Sequence, residues 1–314
     1  MHPCGAGTVR QVGGNDAVAE KHDWEIDLSA TRLDVGAVLD QLDRAAILSR
    51  RDALRDGNVI RLPEKDDVVI LGDIHGDREN FDKVVAWADL ATHKKRYLVV
   101  QEVIHGGPRD EESSDLSFRL LEEVAALKCR FKSQVQMVLS NHDLCEILGS
   151  VVSKAGRNVS APFWRGIEDN YGQVWPEVHG AYRRFLSALP LAVRLPSGVF
   201  VSHSTPQRDA LKKFDYGIFD RALTMDDYLP GGSVYELVWG RHHDQAAADE
   251  FAHRVDADIL ITGHQTSMPG VKTPTSRHII LTSDGPLGRF LNLRLNVRAP
   301  FDVVLRQARK IRSL

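Results

Sequence analysis

Seven residues in this sequence are of types that hold metal ions or move protons, and each follows a short apolar run: Asp73, His75, Glu102, Asn141, His142, His203 and His264. The clearest case is Val68-Val69-Ile70-Leu71-Gly72-Asp73-Ile74-His75-Gly76-Asp77. The β-branched run reads as a buried strand, and its period of two puts Asp73 and His75 on one side at the carboxyl tip. Gly72 and Gly76 let the chain turn tightly there. A hard oxygen donor beside a borderline nitrogen donor suits a divalent Mn, Fe or Zn ion. The same grammar recurs four times. Tyr97-Leu98-Val99-Val100 finishes in Gln101, Glu102 and His105, and Val135-Gln136-Met137-Val138-Leu139 in Ser140-Asn141-His142-Asp143. Val199-Phe200-Val201-Ser202 stops at His203, and Ile259-Leu260-Ile261-Thr262 at Gly263-His264-Gln265. A single such ending is equally an ordinary polar turn. Five of them point to convergence, because ligands of α/β proteins sit beyond the carboxyl ends of strands. Six of the seven residues could serve two metal ions if one carboxylate bridges them, leaving the seventh for proton transfer. Such a pair of ions activates water and neutralises both oxygens of a phosphoryl displacement.

The elements that must position these residues alternate between helix and strand. Leu33, Val38, Leu42, Ala45 and Leu48 fall at helical spacing, followed by a turn at Asp56-Gly57-Asn58 and a strand at Val59-Ile60-Arg61-Leu62. Asp77 or Asn80 caps a helix through Phe81, Val84, Val85, Trp87 and Leu90. Further helices are predicted over residues 116–127, 178–189 and 246–254, and further strands over 191–194, 279–281 and 291–295. Residues 149–178, with Gly, Pro, Phe163, Trp164 and Trp175, read as an irregular, cap-like insert, its aromatics packing the insert rather than stacking on a base. Residues 1–22 read as a flexible tail, 23–300 as one domain, and 301–314 as a basic tail of solvated helical character.

Composition narrows the class. The chain has 314 residues, enough for a substantial core, and 40 basic against 43 acidic side chains give a formal charge of −3. That balance argues against a nucleic-acid binder driven by bulk charge. With 43% apolar and 26% charged residues and no long apolar run, no membrane partner is expected. Cys4, Cys129 and Cys145 are scattered, and the start lacks a basic segment leading into an apolar one; both suit reduced thiols in a cytoplasmic protein.

Five blocks together resemble the calcineurin-like metallophosphoesterases, with the phosphoprotein phosphatases and bacterial diadenosine tetraphosphatases the most similar branch. They are Gly72-Asp73-Ile74-His75-Gly76; Asn141-His142-Asp143; Leu189-Pro190-Leu191-Ala192 leading to Val201-Ser202-His203; Trp239-Gly240-Arg241; and Gly263-His264-Gln265. The resemblance implies a four-layer α/β sandwich of two mixed β-sheets flanked by helices. It implies two divalent ions, Mn foremost with Fe or Zn as alternatives: Asp73 and His75 on one, Asn141, His203 and His264 on the other. It further implies His142 as general acid, Arg241 and Asn141 at the substrate phosphate, and attack by a metal-bound hydroxide. The implied activity is that of a bacterial-type Ser/Thr phosphatase acting on a phosphorylated protein or a small phosphoester. A dinucleoside polyphosphate hydrolase and a catalytically impaired phospho-binding module are the alternatives.

The second block departs from the family pattern Gly-Asp-x-x-Asp-Arg-Gly. Here Gln101-Glu102-Val103-Ile104-His105-Gly106-Gly107 puts Glu102 where the bridging Asp belongs, His105 where an Asp orients the acid, and Gly106 where a phosphate arginine belongs. Losing one such clamp costs about 2.7–4 kcal/mol of transition-state stabilisation. Arg78, Arg109, Arg165 and Arg208 lie near enough in sequence to compensate.

Overall fold

The structure, a computed structural model, describes residues 34–110, 113–154 and 156–314. The tail expected over residues 1–22 lies outside them. Two mixed sheets carry the architecture. The larger has seven strands in the order Arg55–Asp56, Val59–Arg61, Ala192–Leu195, Val199–Ser202, Ile259–Thr262, His278–Leu281 and Val271–Thr275. The smaller has five: Ala308–Lys310, Arg289–Arg294, Asp67–Asp73, Tyr97–Gln101 and Val135–Val138.

Alternation along the strands builds the layers. Val68, Ile70 and Val99 of the smaller sheet join Val193, Val201, Ile261 and Ile279 of the larger in one buried cluster between the sheets. Their neighbours Val69, Leu71, Leu98 and Val100 face the helices outside, packing with Leu42, Phe81, Leu121 and Phe185. This is the four-layer sandwich that the family resemblance implies. Each fully buried Val or Ile contributes roughly 1.5–3 kcal/mol relative to exposure.

The helices form where spacing and caps agree. Val35–Arg50 starts on Asp34, whose carboxylate accepts from the Ala37 amide, and buries Val38, Leu42, Ala45 and Ala46 along one face. Arg78–Ala88 starts on Asp77 in the same way, settling the choice between Asp77 and Asn80. In the smaller sheet the Asp67–Asp73 strand runs parallel to Tyr97–Gln101, which runs parallel to Val135–Val138. In the larger, Val199–Ser202, Ile259–Thr262 and His278–Leu281 are likewise parallel. Parallel pairing gathers carboxyl tips at one edge, and an isolated bridge from Asp73 to Thr282 joins the two edges there.

Two segments differ from expectation. Residues 149–178 are not irregular: a short hairpin pairs Ser153–Lys154 with Arg157–Asn158, then helices run over Ser160–Tyr171 and Trp175–Leu186. Phe163, Ile167 and Tyr171, four residues apart, are buried on one face of the first helix, a periodicity masked by the Gly and Pro around it. The basic C-terminal segment is not one solvated helix. After a short helix at Phe301–Arg306, Ala308–Lys310 pairs antiparallel with Arg289–Leu291 at the sheet edge and Ile311 is fully buried.

Candidate active site

Asp73, the last residue of its strand, is held from several directions. Its carboxylate Oδ1 accepts the His264 amide at 2.8 Å, and its carbonyl accepts the amides of Ser283 and Asp284. A Cβ at Gly263 would lie 2.0 Å from that same Oδ1, so only glycine lets the two strand tips approach this closely. His75, two residues on, points Nδ1 at the Ile104 carbonyl (3.2 Å), which makes Nδ1 the donor and leaves Nε2 bare. That nitrogen faces Glu102 Oε2 at 3.4 Å.

Glu102 sits at the centre. Its other oxygen lies 3.6 Å from His203 Nε2 and 3.7 Å from His142 Nε2. Beside it, Asn141 Oδ1 is 2.8 Å from both His203 Nε2 and His264 Nδ1, which are 3.2 Å apart. Three donor atoms thus form a small triangle. Its edges match the roughly 3 Å spacing of neighbouring ligands on an octahedral ion bound at about 2.1 Å. Asp73, Glu102 and His203 form a second buried group, with donor atoms all within 4.8 Å of one another. Glu102 Oε1, which faces His142 and His203, is buried without a hydrogen-bond partner. Buried polar atoms without partners are costly, and a bound cation satisfies such donors. The residues present therefore fit divalent ions.

The electrostatics agree. Burial, and then the nearby Lys154 ammonium, push His75 down to about 3. Burial, with Arg241 beside it, pushes His264 to about 3 as well. Burial also holds His203 and His142 well below the ordinary imidazole range. Neutral imidazoles are the ligand form that His75, His203 and His264 need. The carboxyls move the other way: burial raises Asp73 to about 6, and burial plus the Asp73 charge raises Glu102 well above its usual range. Two acids and several neutral rings buried in one cleft form an electrostatic arrangement that cations relieve. The backbone is strained. His75, Glu102, His105 and His264 all have positive φ, between 38° and 67°, where residues other than glycine cost about 1–2 kcal/mol each.

All seven residues singled out from the sequence meet in this cleft. Arg241 lies beside it, with Nη1 3.4 Å from the His264 carbonyl, and its charge acts on His203 and His264. Of the proposed compensating arginines, only Arg78 lines the groove with His75, Gly76 and Gly106, and it is engaged by Asp82 and Glu123. Arg208 pairs with Asp244 at the surface, and Arg109 bonds the Ser113 carbonyl. Gly106 has φ of +125°, so an arginine restored there would be strained on this backbone. Sequence reasoning missed Lys154, whose ammonium acts on Asp73, His75, Glu102 and His142. A lone lysine in a short hairpin carries no sequence signal that could have marked it.

A family model described as calcineurin-like phosphoesterase matches residues 67–268, more than half of the chain. The chain belongs to that family, and the activity that defines it is hydrolysis of phosphoric esters at divalent metal ions. Among solved structures, a Saccharomyces cerevisiae protein serine/threonine phosphatase with similarity to human phosphatase PP5 superposes with a TM-score of 0.60. It shares 15% identity over 83% of this chain and 82% of its own. A cold-active protein-tyrosine phosphatase from a Shewanella species gives 0.55, with 13% identity over 80% of each chain. At these identities the likeness is one of fold. Compared with curated protein sequences, the chain has no significant match. No helix among the described residues is long and apolar enough to cross a membrane.

Proposed function

We propose that this protein is a dinuclear-metal phosphomonoesterase of the bacterial Ser/Thr protein phosphatase kind, with His142 as its general acid. The observation that carries the reading is the convergence of Asn141 Oδ1, His203 Nε2 and His264 Nδ1 within 3.2 Å of one another, beside Asp73 and Glu102. Asp73 and His75 would hold one ion, Asn141, His203 and His264 the other, with Glu102 between them. Bound divalent ions would supply an activated water and neutralise charge on the phosphoryl oxygens. Mn is the first choice, and the mixed oxygen and nitrogen donors also suit Fe or Zn.

The remaining work belongs to side chains. His142 Nε2 faces Glu102 across 3.7 Å, so a proton carried there reaches an ester oxygen leaving from the same cleft. Arg241, with Asn141, binds the phosphate from the His264 side. The free thiols Cys129 and Cys145 suit a cytoplasmic setting.

The test is hydrolysis of an aryl phosphate with added Mn. His142→Asn is expected to lower kcat about 100-fold or more while leaving metal content unchanged. No turnover by the wild-type chain with Mn, Fe or Zn would remove the catalytic reading in favour of a phospho-binding module. Rates on phosphoserine and phosphotyrosine peptides and on diadenosine tetraphosphate then assign the substrate class.

A further inference from the structure

His105 is fully buried, yet both ring nitrogens are engaged. Its Nδ1 lies 3.1 Å from His142 Nδ1, and its Nε2 lies 2.9 Å from Glu146 Oε1. Glu146 is tied on its remaining sides: Trp164 Nε1 donates to Oε2 at 2.9 Å and His179 Nε2 contacts Oε2 at 2.7 Å. Phe163 sets its ring edge-on against His105, with centroids 4.7 Å apart and planes at 90°. Burial alone would raise the Glu146 carboxyl, but hydrogen bonds from His105, His179 and Trp164 outweigh it and hold the group down to about 2.

The Glu146 carboxylate sets one end of this chain of hydrogen bonds. An ionised carboxylate only accepts, so His105 Nε2 carries a hydrogen. His105 Nδ1 faces His142 Nδ1 at hydrogen-bond distance, so one hydrogen lies between these two nitrogens. The remaining nitrogen, His142 Nε2, is the one that faces Glu102 and the cleft.

We propose that His105 and Glu146 together are a positioning pair: His142 donates Nδ1–H to His105 Nδ1, which fixes its ring plane and leaves Nε2 to take up a proton from water in the cleft and give it to the leaving oxygen. The proposal rests on the reading of His142 as general acid. The carboxylate comes from the helix Asn141–Leu148 rather than from the loop after strand Tyr97–Gln101, with the His105 imidazole spanning the gap. This also gives the inserted helices a role, since Phe163, Trp164 and His179 come from them and brace the pair.

The first experiment needs no turnover. Long-range proton–nitrogen correlation spectra of the 15N-labelled, metal-free full chain read each histidine tautomer. His142 is expected as Nδ1–H in the wild type and predominantly Nε2–H in His105→Phe. An Nε2–H tautomer in the wild type would overturn the proposal, whether or not the protein hydrolyses anything.

The second uses the Mn-loaded protein and a series of phosphate esters. His105→Phe is expected to lose about 100-fold in kcat on an alkyl phosphate, yet less than about tenfold on dinitrophenyl phosphate, whose departure needs no proton. His105→Asp combined with Glu146→Gln, which puts a carboxylate directly on His142 Nδ1, should restore the alkyl ester rate. An equal loss across the series, or no rescue, would reduce His105 and Glu146 to packing. A wild-type chain inactive on every ester would instead refute the proposed function, while the tautomer spectra still decide the pair.

Discussion

Glu102 is the residue on which the site turns. It reaches His75, His142 and His203 from one side chain, and φ of 38° holds its backbone in the left-handed region while its carbonyl accepts the amides of Ile74 and His75. The extra methylene relative to the family's Asp is thus absorbed by a side chain that reaches across the cleft. If Glu102 bridges two ions, Glu102→Gln should bind one equivalent of Mn where the wild type binds two. Elemental analysis after equilibrium dialysis decides this, and two ions retained in the variant would exclude the bridge. His75 illustrates the same scale. The Ile104 carbonyl selects its tautomer, and burial keeps it neutral, so the ligand form is ready before any ion arrives.

Between elements, polar groups rather than apolar area set specificity. Helix Phe118–Phe131 meets helices Ser160–Tyr171 and Trp175–Leu186 where Tyr171 and Tyr182 both donate to buried Glu122 Oε1. Burial raises Glu122 from 4.5 to about 7, with the two phenols opposing the shift. The folded chain therefore holds this proton more tightly than the unfolded one. The contribution to stability is most favourable below pH 4.5, falls as pH rises to 7, and stays low above. Glu122→Gln keeps the acceptor and removes the titration. Denaturant unfolding of metal-free protein should show it gaining roughly 3 kcal/mol over the wild type at pH 8 and little near pH 4.5. An equal difference at both pH values would show that Glu122 titrates normally.

At the scale of the whole molecule, the two sheets must be locked together at the edge where their tips carry the donors. Ser283 does this: its buried hydroxyl accepts the Gly72 amide at 2.8 Å and donates to the Arg289 carbonyl at 2.7 Å. Ser283→Ala strands that amide in the core, so a loss of about 1–3 kcal/mol is expected by denaturant unfolding. Because Gly72 precedes Asp73, weaker Mn binding should accompany it. A variant as stable as the wild type, with unchanged Mn affinity, would show that the sheets are held elsewhere.

Much of this was legible in the chain itself. The strand ending at Asp73, its neighbours ending at Glu102, Asn141, His203 and His264, and the gathering of those five tips all followed from short apolar runs with polar ends, because strand burial and strand exit are written within a few adjacent residues. The partners of those residues were not. Nothing near position 105 announces Glu146, nothing near 283 announces Gly72, and the basic stretch at 308–310 has no local mark of an edge strand. Each depends on which distant segments pack together, and hydrogen bonds between them carry no period along the sequence. Donor identity was therefore fixed locally, whereas orientation, tautomer and the closing of the cleft were settled only when the two sheets met.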